Sequence, residues 1–530
     1  MRIMNQPGIR ADYWEKFTFT ESDLDFLYNH LLEIETPLTT SELLSALIDE
    51  RIRIEKEQLL STNRPNGRVY QPAGAYQVGE NLLFPAKGWK KGKVTSIREG
   101  NNPEISEFSV IRVAFENGDQ MEFASNLSDH ILNRPIEINT DDPLLTRNSV
   151  LSNYKKLLSD RMKQALESNE ELVQIAGRWF PRALLVDVNM GYLNLAEAVL
   201  EMADGGPLTT EQILEQIDLP TDTNQKLTEF SLNYALQEDP RFDEVGPSGE
   251  TLWFLYRMEP EEVKQPPLFL KYSPVQYDKD QVQDLISMLG NDVFDELEET
   301  CSTCGDDNKV TLTLIYPHWQ SGTLPLSDQF QQLFPTAYEA PRVTFTFVDG
   351  ATGKKFSGWV VRKEKYVSGL KEWYSEHGVI PGSLIFLSPG KMPGEVVITT
   401  DNRRTTRDWV RCALVNSESQ LTFSMLKQVI SSGFDDRMVV YIPDEAAIAK
   451  LWSEGKNLRG SLEKQLFNIL HELSKLIPQG HVHAQELYAS INVLRRCPPG
   501  PILSVLINHP RITHLGDLYF RMNDTTEEGA

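Results

Sequence analysis

The sequence predicts an α+β multidomain protein in which repeated helical modules, each closed by a short hairpin, alternate with two small β-barrels. Three observations lead there. A block of residues recurs along the chain, two stretches switch to strand-like alternation punctuated by glycine, and 530 residues is several times what a single core occupies. Three to five folding units are expected.

The repeat comes first, because self-similarity reveals architectures that local patterns hide. Residues 37–44 read Pro-Leu-Thr-Thr-Ser-Glu-Leu-Leu, residues 207–214 read Pro-Leu-Thr-Thr-Glu-Gln-Ile-Leu, and a weaker version is Val482-His483-Ala484-Gln485-Glu486-Leu487. In each, an apolar residue ends a connection, Thr39 or Thr209 caps a helix, and the next Leu or Ile points into a core. An amphipathic segment lies upstream every time (24–34, 193–202, 462–476), giving a helix-turn-helix skeleton.

The second and third copies agree again downstream, where Asp239-Pro240-Arg241-Phe242 matches His509-Pro510-Arg511-Ile512 and each run reaches a glycine, Gly246 or Gly516. A second short strand follows, 252–258 or 518–522. Three helices and a two-stranded hairpin make the winged-helix plan, with Gly246–Glu250 as the loop of the wing. The first copy keeps two helices, while its hairpin is reduced to a turn at Pro65-Asn66-Gly67; it reads as degenerate.

On these residues, segment 207–258 resembles the HARE-type winged helix-turn-helix family of the bacterial RNA polymerase delta subunit, restriction-enzyme accessory regions and chromatin regulators. Pro207-Leu208-Thr209-Thr210, Ile213-Leu214, Ala235-Leu236, Asp239 to Phe242 and Trp253 carry the resemblance. It implies transcription-linked or DNA-associated regulation, sometimes through protein contacts.

Residues 71–127 alternate in the manner of strands, with Gly88, Gly92, Gly100 and Asn117-Gly118 as punctuation. The passage 84–94 resembles an SH3-like or KOW-type barrel. It holds the densest basic cluster of the chain: Lys87, Lys90, Lys91, Lys93 and Arg98 around Trp89. Such a hairpin suits a phosphate backbone and a stacked base; it equally suits a solvated edge whose lysines prevent pairing.

From Lys309 to Ala413 a second β-rich region contains the hairpin 343–362 about Asp349-Gly350, a helix-like stretch 367–377 and a strand after Pro381-Gly382. This order resembles the DNA-binding pseudobarrel of plant transcription factors and some restriction-enzyme recognition domains. Loops near Arg362, Lys363 and Lys365, or the run with Arg403, Arg404 and Arg407, would then approach DNA, arginine bridging phosphates or reading guanine edges.

The expected organisation is a degenerate helix-turn-helix (1–70), a small SH3-like barrel (71–135), a helical connector (136–180), a winged helix (181–258), a linker with an acidic helix (259–308), a β-rich barrel (309–415), a connector (416–460), a winged helix (461–522) and a disordered acidic tail (523–530).

Composition narrows the function. A net charge of −24 makes any nucleic-acid contact local, since a surface that binds phosphate everywhere would be basic. No apolar run reaches the length of a membrane helix, no secretory leader is visible, and four cysteines argue against a disulfide framework, so a cytoplasmic protein is expected. Cys301 and Cys304 are half of a zinc knuckle with no second half, and among the clustered histidines 481, 483, 509 and 514 the last two occupy positions filled by Asp239 and Glu244 in the sister copy, so no metal or other cofactor is assigned. No phosphate loop, nucleophile elbow or zinc-protease signature occurs.

The helix 222–237 of the second winged unit has Lys226 but also Glu229, poor equipment for DNA; Arg495 and Arg496 make the third unit the better candidate. The reading is a non-enzymatic, nucleic-acid-associated regulatory protein with DNA or RNA as partner. The rival is a protein scaffold or adaptor on RNA polymerase or another machine.

Overall fold

The computed structural model describes residues 10, 12–62, 68–84, 87, 90–102, 108–115, 118–133, 143–217, 219, 224–290, 293–298, 309–329, 331–455 and 460–523, without the side chains of 58–62, 131 and 402–406. The chain divides into two compact units, Met1–Leu185 and Val186–Ala530, mixed α and β throughout.

The first unit begins with α1 (Glu21–Ile34), β1 (Leu38–Thr39) and α2 (Thr40–Thr62). Thr39 caps α2 as expected: its hydroxyl accepts from the Glu42 amide, and the Glu42 carboxylate accepts from the Thr39 amide. A five-stranded sheet follows, β2 (Arg68–Val69), β3 (Asn81–Phe84), β4 (Lys90–Glu99), β5 (Ser109–Phe115) and β6 (Gln120–Ser125), paired in chain order. Its core gathers Tyr70, Leu82, Phe84, Val94, Ile111 and Val113. After it come α3 (Arg147–Glu167), β7 (Leu172–Ile175) and β8 (Arg178–Pro181).

The turn 65–67, expected to stand for the hairpin of the first copy, lies outside the described residues. Strand β1 pairs with β8, Leu38 opposite Trp179, in a sheet ordered β1-β8-β7. The stretch expected to be a helical connector holds a helix and a hairpin whose β8 pairs back to β1, and the five-stranded sheet sits between them in the chain.

The second unit opens with α4 (Met190–Met202), β9 (Leu208–Thr209), α5 (Thr210–Leu214), α6 (Gln225–Glu238), β10 (Phe242–Glu244) and β11 (Leu252–Leu255). Thr209 caps α5 in a capping box with Gln212, and β11 lies between β10 and β9 with Trp253 opposite Leu208. Next are α7 (Glu261–Lys264) and α8 (Lys279–Leu289).

A seven-stranded sheet follows: β12 (Val310–Thr313), then α9 (Tyr316–Ser321), β13 (Thr323–Pro325), β14 (Arg342–Asp349), β15 (Lys355–Val361), β16 (Tyr366–Ser368), α10 (Lys371–Glu376), β17 (Leu384–Pro389) and β18 (Glu395–Thr400). Its order is β12-β17-β18-β14-β15-β16-β13, antiparallel except where β14 meets β18. A separate ribbon, β19 (Asn402–Val415) with β20 (Leu421–Ser432), then α11 (Glu445–Ser453), occupies the span expected to hold a barrel end and a connector.

The chain closes with α12 (Leu462–Ser474), β21 (His481–His483), α13 (Ala484–Leu494), α14 (Pro499–Asn508), β22 (Ile512–Gly516) and β23 (Tyr519–Met522), sheet order β21-β23-β22. His483 replaces threonine as the cap: its Nδ1 accepts from the Gln485 amide, and Glu486 completes the box. Phe520 stands opposite Val482, the place held by Trp179 and Trp253 in the other two sheets. Tail residues 524–530 lie outside the described residues.

Two packing features decide which surfaces stay free. The loop after β10 docks on the seven-stranded sheet: the Thr344 amide donates to the Val245 carbonyl, the Ser248 amide to the Thr336 carbonyl, and Phe254 meets Trp359 edge-on. Near the C-terminus, α14 buries Ile502, Leu503 and Leu506 in a core shared with Val282, Ile286 and Leu289 of α8.

Candidate nucleic-acid interface

The β4 strand owes its exposed lysines to alternation. Gly92 and Val94 turn into the core while Lys91 and Lys93 turn out, and Lys90 and Lys87 are exposed beside them. Gly92 is required there, because a Cβ would lie 2.3 Å from Val113 Cγ1. None of these four lysines forms an ion pair among the described residues. Arg98 differs: its guanidinium is 2.6 Å from Glu122, which also takes Arg112 at 2.9 Å. Those two cations hold the Glu122 carboxyl below its usual range, and Arg98 shares that one carboxylate with Arg112. Trp89 lies outside the described residues.

A second basic strand is β19. Its inward residues, Val410 and Cys412, pack with Ile430 and Val439. Around Trp409 the opposite face is left open: Arg407 is exposed, Trp409 is 61% exposed, and across the ribbon Arg407 faces Val429 and Trp409 faces Lys427, while farther along Met425 stands opposite the buried Arg411. The Lys427 ammonium lies 5.5 Å from the indole centroid, a cation–π distance. Arg403 and Arg404 are on the same strand, their side chains outside the described residues. Arg411 belongs to the interior, donating to the Arg437 carbonyl and paired with Glu486.

Between β15 and β16, Arg362, Lys363 and Lys365 rim a cavity of about 400 Å³ floored by Phe334 and Val360. Arg362 donates to the Ala340 carbonyl and Lys365 sits 3.9 Å from Asp328, so Lys363 is the freest of the three.

Arg495 and Arg496 are not an interface, which corrects the expectation drawn from their place near a helix end. Arg496 is 1% exposed, bidentate on Asp295 at 2.6 and 2.9 Å and 2.8 Å from Glu296. Arg495 is also buried and reaches Gln465. The buried Arg496 guanidinium is met by two carboxylates that offset its loss of water, and those carboxylates stand far upstream in the chain, invisible to local reading.

The helix expected at 222–237 is found at α6, where Leu227, Thr228, Phe230, Ser231, Leu232 and Asn233 are all buried and Lys226 is exposed at its start.

Among the described residues no group of three His, Cys, Asp or Glu side chains is placed to hold a metal. Cys301 and Cys304 lie outside them. Cys412 and Cys497 are buried, and burial pushes the Cys497 thiol up to about 12; His509 and His514 stack on Phe467 and Phe520. No helix among the described residues is long and apolar enough to cross a membrane.

Sequence reasoning missed Trp409 and Lys427. A tryptophan in an alternating strand points in or out with equal ease until the register is known, and only the pairing with β20 reveals the cation across from it. No family model, no curated protein and no solved structure matches the chain.

Proposed function

We propose that this chain is a non-enzymatic, nucleic-acid-associated regulatory protein, acting by binding alone. In this reading the three helix-and-hairpin units are winged-helix copies of the HARE kind, the five-stranded sheet is an SH3-like barrel and the seven-stranded sheet is a DNA-binding pseudobarrel. One observation carries it: in a chain of net charge −24, three exposed lysines without a carboxylate partner among the described residues, Lys90, Lys91 and Lys93, lie close together on β4, and Arg407 and Lys427 stand exposed beside Trp409 on the β19–β20 ribbon. Acidity elsewhere suppresses indiscriminate binding, and weak contacts add through linkage.

A second reading, an adaptor on RNA polymerase or another nucleic-acid machine, is favoured by the docking of the 245–248 loop on the seven-stranded sheet and the burial of α14. Those surfaces, in a DNA-reading winged helix, would face the groove. Binding of labelled DNA and RNA by the full chain in low and rising salt separates the two. Salt-sensitive binding supports the first reading; no binding at low salt leaves the adaptor.

A further inference from the structure

The open face of the β19–β20 ribbon combines features that favour one form of nucleic acid. Trp409, Val429 and Met425 are 61%, 57% and 41% exposed, an apolar stripe that joins no buried core among the described residues. Arg407 and Lys427 border the indole, one two residues along the strand and one directly across, and Arg403 and Arg404 continue the strand. The residues of β19 and β20 with amide or carboxylate side chains near this point, Asp408 and Gln428, are paired with each other in the register and belong to the other face.

In a duplex each base has both faces covered by its neighbours and shows only its edges in the grooves, where hydrogen-bonding side chains are rewarded. An exposed indole flanked by aliphatic groups has a single N–H to offer those edges, and its broad face goes unused there. An unpaired base offers its π-face, which stacks on an aromatic ring whatever the base, while nearby cations track the phosphates.

Resting on the nucleic-acid reading above, we propose that this ribbon is a platform for single-stranded nucleic acid: Trp409 stacks on an unpaired base, and Arg407 and Lys427 hold the phosphates on either side. Two residues of extended strand separate Arg407 from Trp409 by about 7 Å, so the contacts fall on adjacent nucleotides. Val429 and Met425 pack against sugar and base rather than against protein.

The test is fluorescence anisotropy of the full chain with labelled oligothymidylate, its oligouridylate counterpart and a mixed-sequence duplex at low salt. Single strands are expected to bind ahead of duplex. Trp409→Ala weakens single-strand binding by about five- to a hundredfold, the range of one base–aromatic stack, Trp409→Phe retains most of it, and duplex binding stays as it was. Thermal melting of each variant checks that the fold is kept.

Duplex binding equal to single-strand binding, with Trp409→Ala silent while Arg407→Glu with Lys427→Glu weakens both, overturns the platform and leaves the nucleic-acid reading standing. Binding indifferent to all ribbon variants also overturns it. Failure to bind either form overturns both readings.

Discussion

Arg496 and Asp295, 201 residues apart in the chain, form a bidentate ion pair in which both side chains are essentially closed to solvent. Tyr488 donates its hydroxyl to the same Asp295, and the neighbouring Glu296 takes both Arg496 and His318. His318 in turn contacts Thr323 at the start of β13. One guanidinium thus joins the end of α13 to the seven-stranded sheet through the 295–296 segment. Burial alone would raise Glu296, yet Arg496 and His318 outweigh it and hold its carboxyl well below the usual range.

Arg496→Ala leaves two buried carboxylates without their cation. Removing one member of such a pair costs about 3–5 kcal/mol, so the thermal midpoint of the full chain is expected to drop by several degrees. Nucleic-acid binding below the melting range is expected to stay unchanged. A loss of binding with no loss of stability would return Arg496 to the interface.

Glu244 gives the second unit a pH dependence. Burial is the main cause that raises its carboxyl from 4.5 to about 7, with Glu339 and Asp243 adding to it and the Gly246 and Leu252 amides opposing. The folded protein holds this proton more tightly than the unfolded chain, so its contribution is complete below pH 4.5 and fades as pH rises through about 7. Glu259, raised by burial and by Asp243, acts in the same sense. Melting across that interval in the full chain and in Glu244→Gln is expected to show a shallower decline in the variant; equal slopes contradict it.

Gly92 admits no side chain. A Cβ at 2.3 Å from Val113 Cγ1 forces the β4–β5 pair apart, so Gly92→Val is expected to destabilise the five-stranded sheet by about 1–3 kcal/mol, seen as faster amide exchange in 81–125. Exchange unchanged from the parent would show that the sheet can absorb the group.

His483 acts as the counterpart of Thr39 and Thr209. Burial, followed by Arg437, pushes its ring down to about 4, which keeps Nδ1 free to accept the Gln485 amide. His483→Ala is expected to lose about 1 kcal/mol while His483→Thr keeps most of the cap. Equal loss in both would mean the ring matters for packing on Tyr519 more than for capping.

The capped helix starts and the hairpins 242–255 and 512–522 were legible because they depend on neighbours in sequence: a threonine, a Gln or Glu three positions on, a glycine at a turn. The pairing of β1 with β8 is not legible in the sequence, because a five-stranded sheet intervenes and nothing local links Leu38 to Trp179. The lysines of β4 were legible as a cluster, since alternation around Gly92 and Val94 needs no partner. The meaning of the arginines was not. Arg407 and Arg496 look alike in sequence, and only long-range pairing makes one a surface group and the other a core ion.

In the proposed function, exposed strand cations bind a phosphate backbone. The most direct measurement is the salt dependence of single-strand affinity for the full chain beside two variants, one with Lys90, Lys91 and Lys93 changed to Glu and one with Arg403, Arg404 and Arg407 changed to Glu. Affinity is predicted to fall steeply with salt in the parent, and each variant to bind more weakly with a slope shallower by about 1–3, one unit or a little less for each phosphate the variant no longer neutralises. An affinity that ignores both salt and charge reversal, or no binding at the lowest salt, would contradict the account and direct attention to a protein partner.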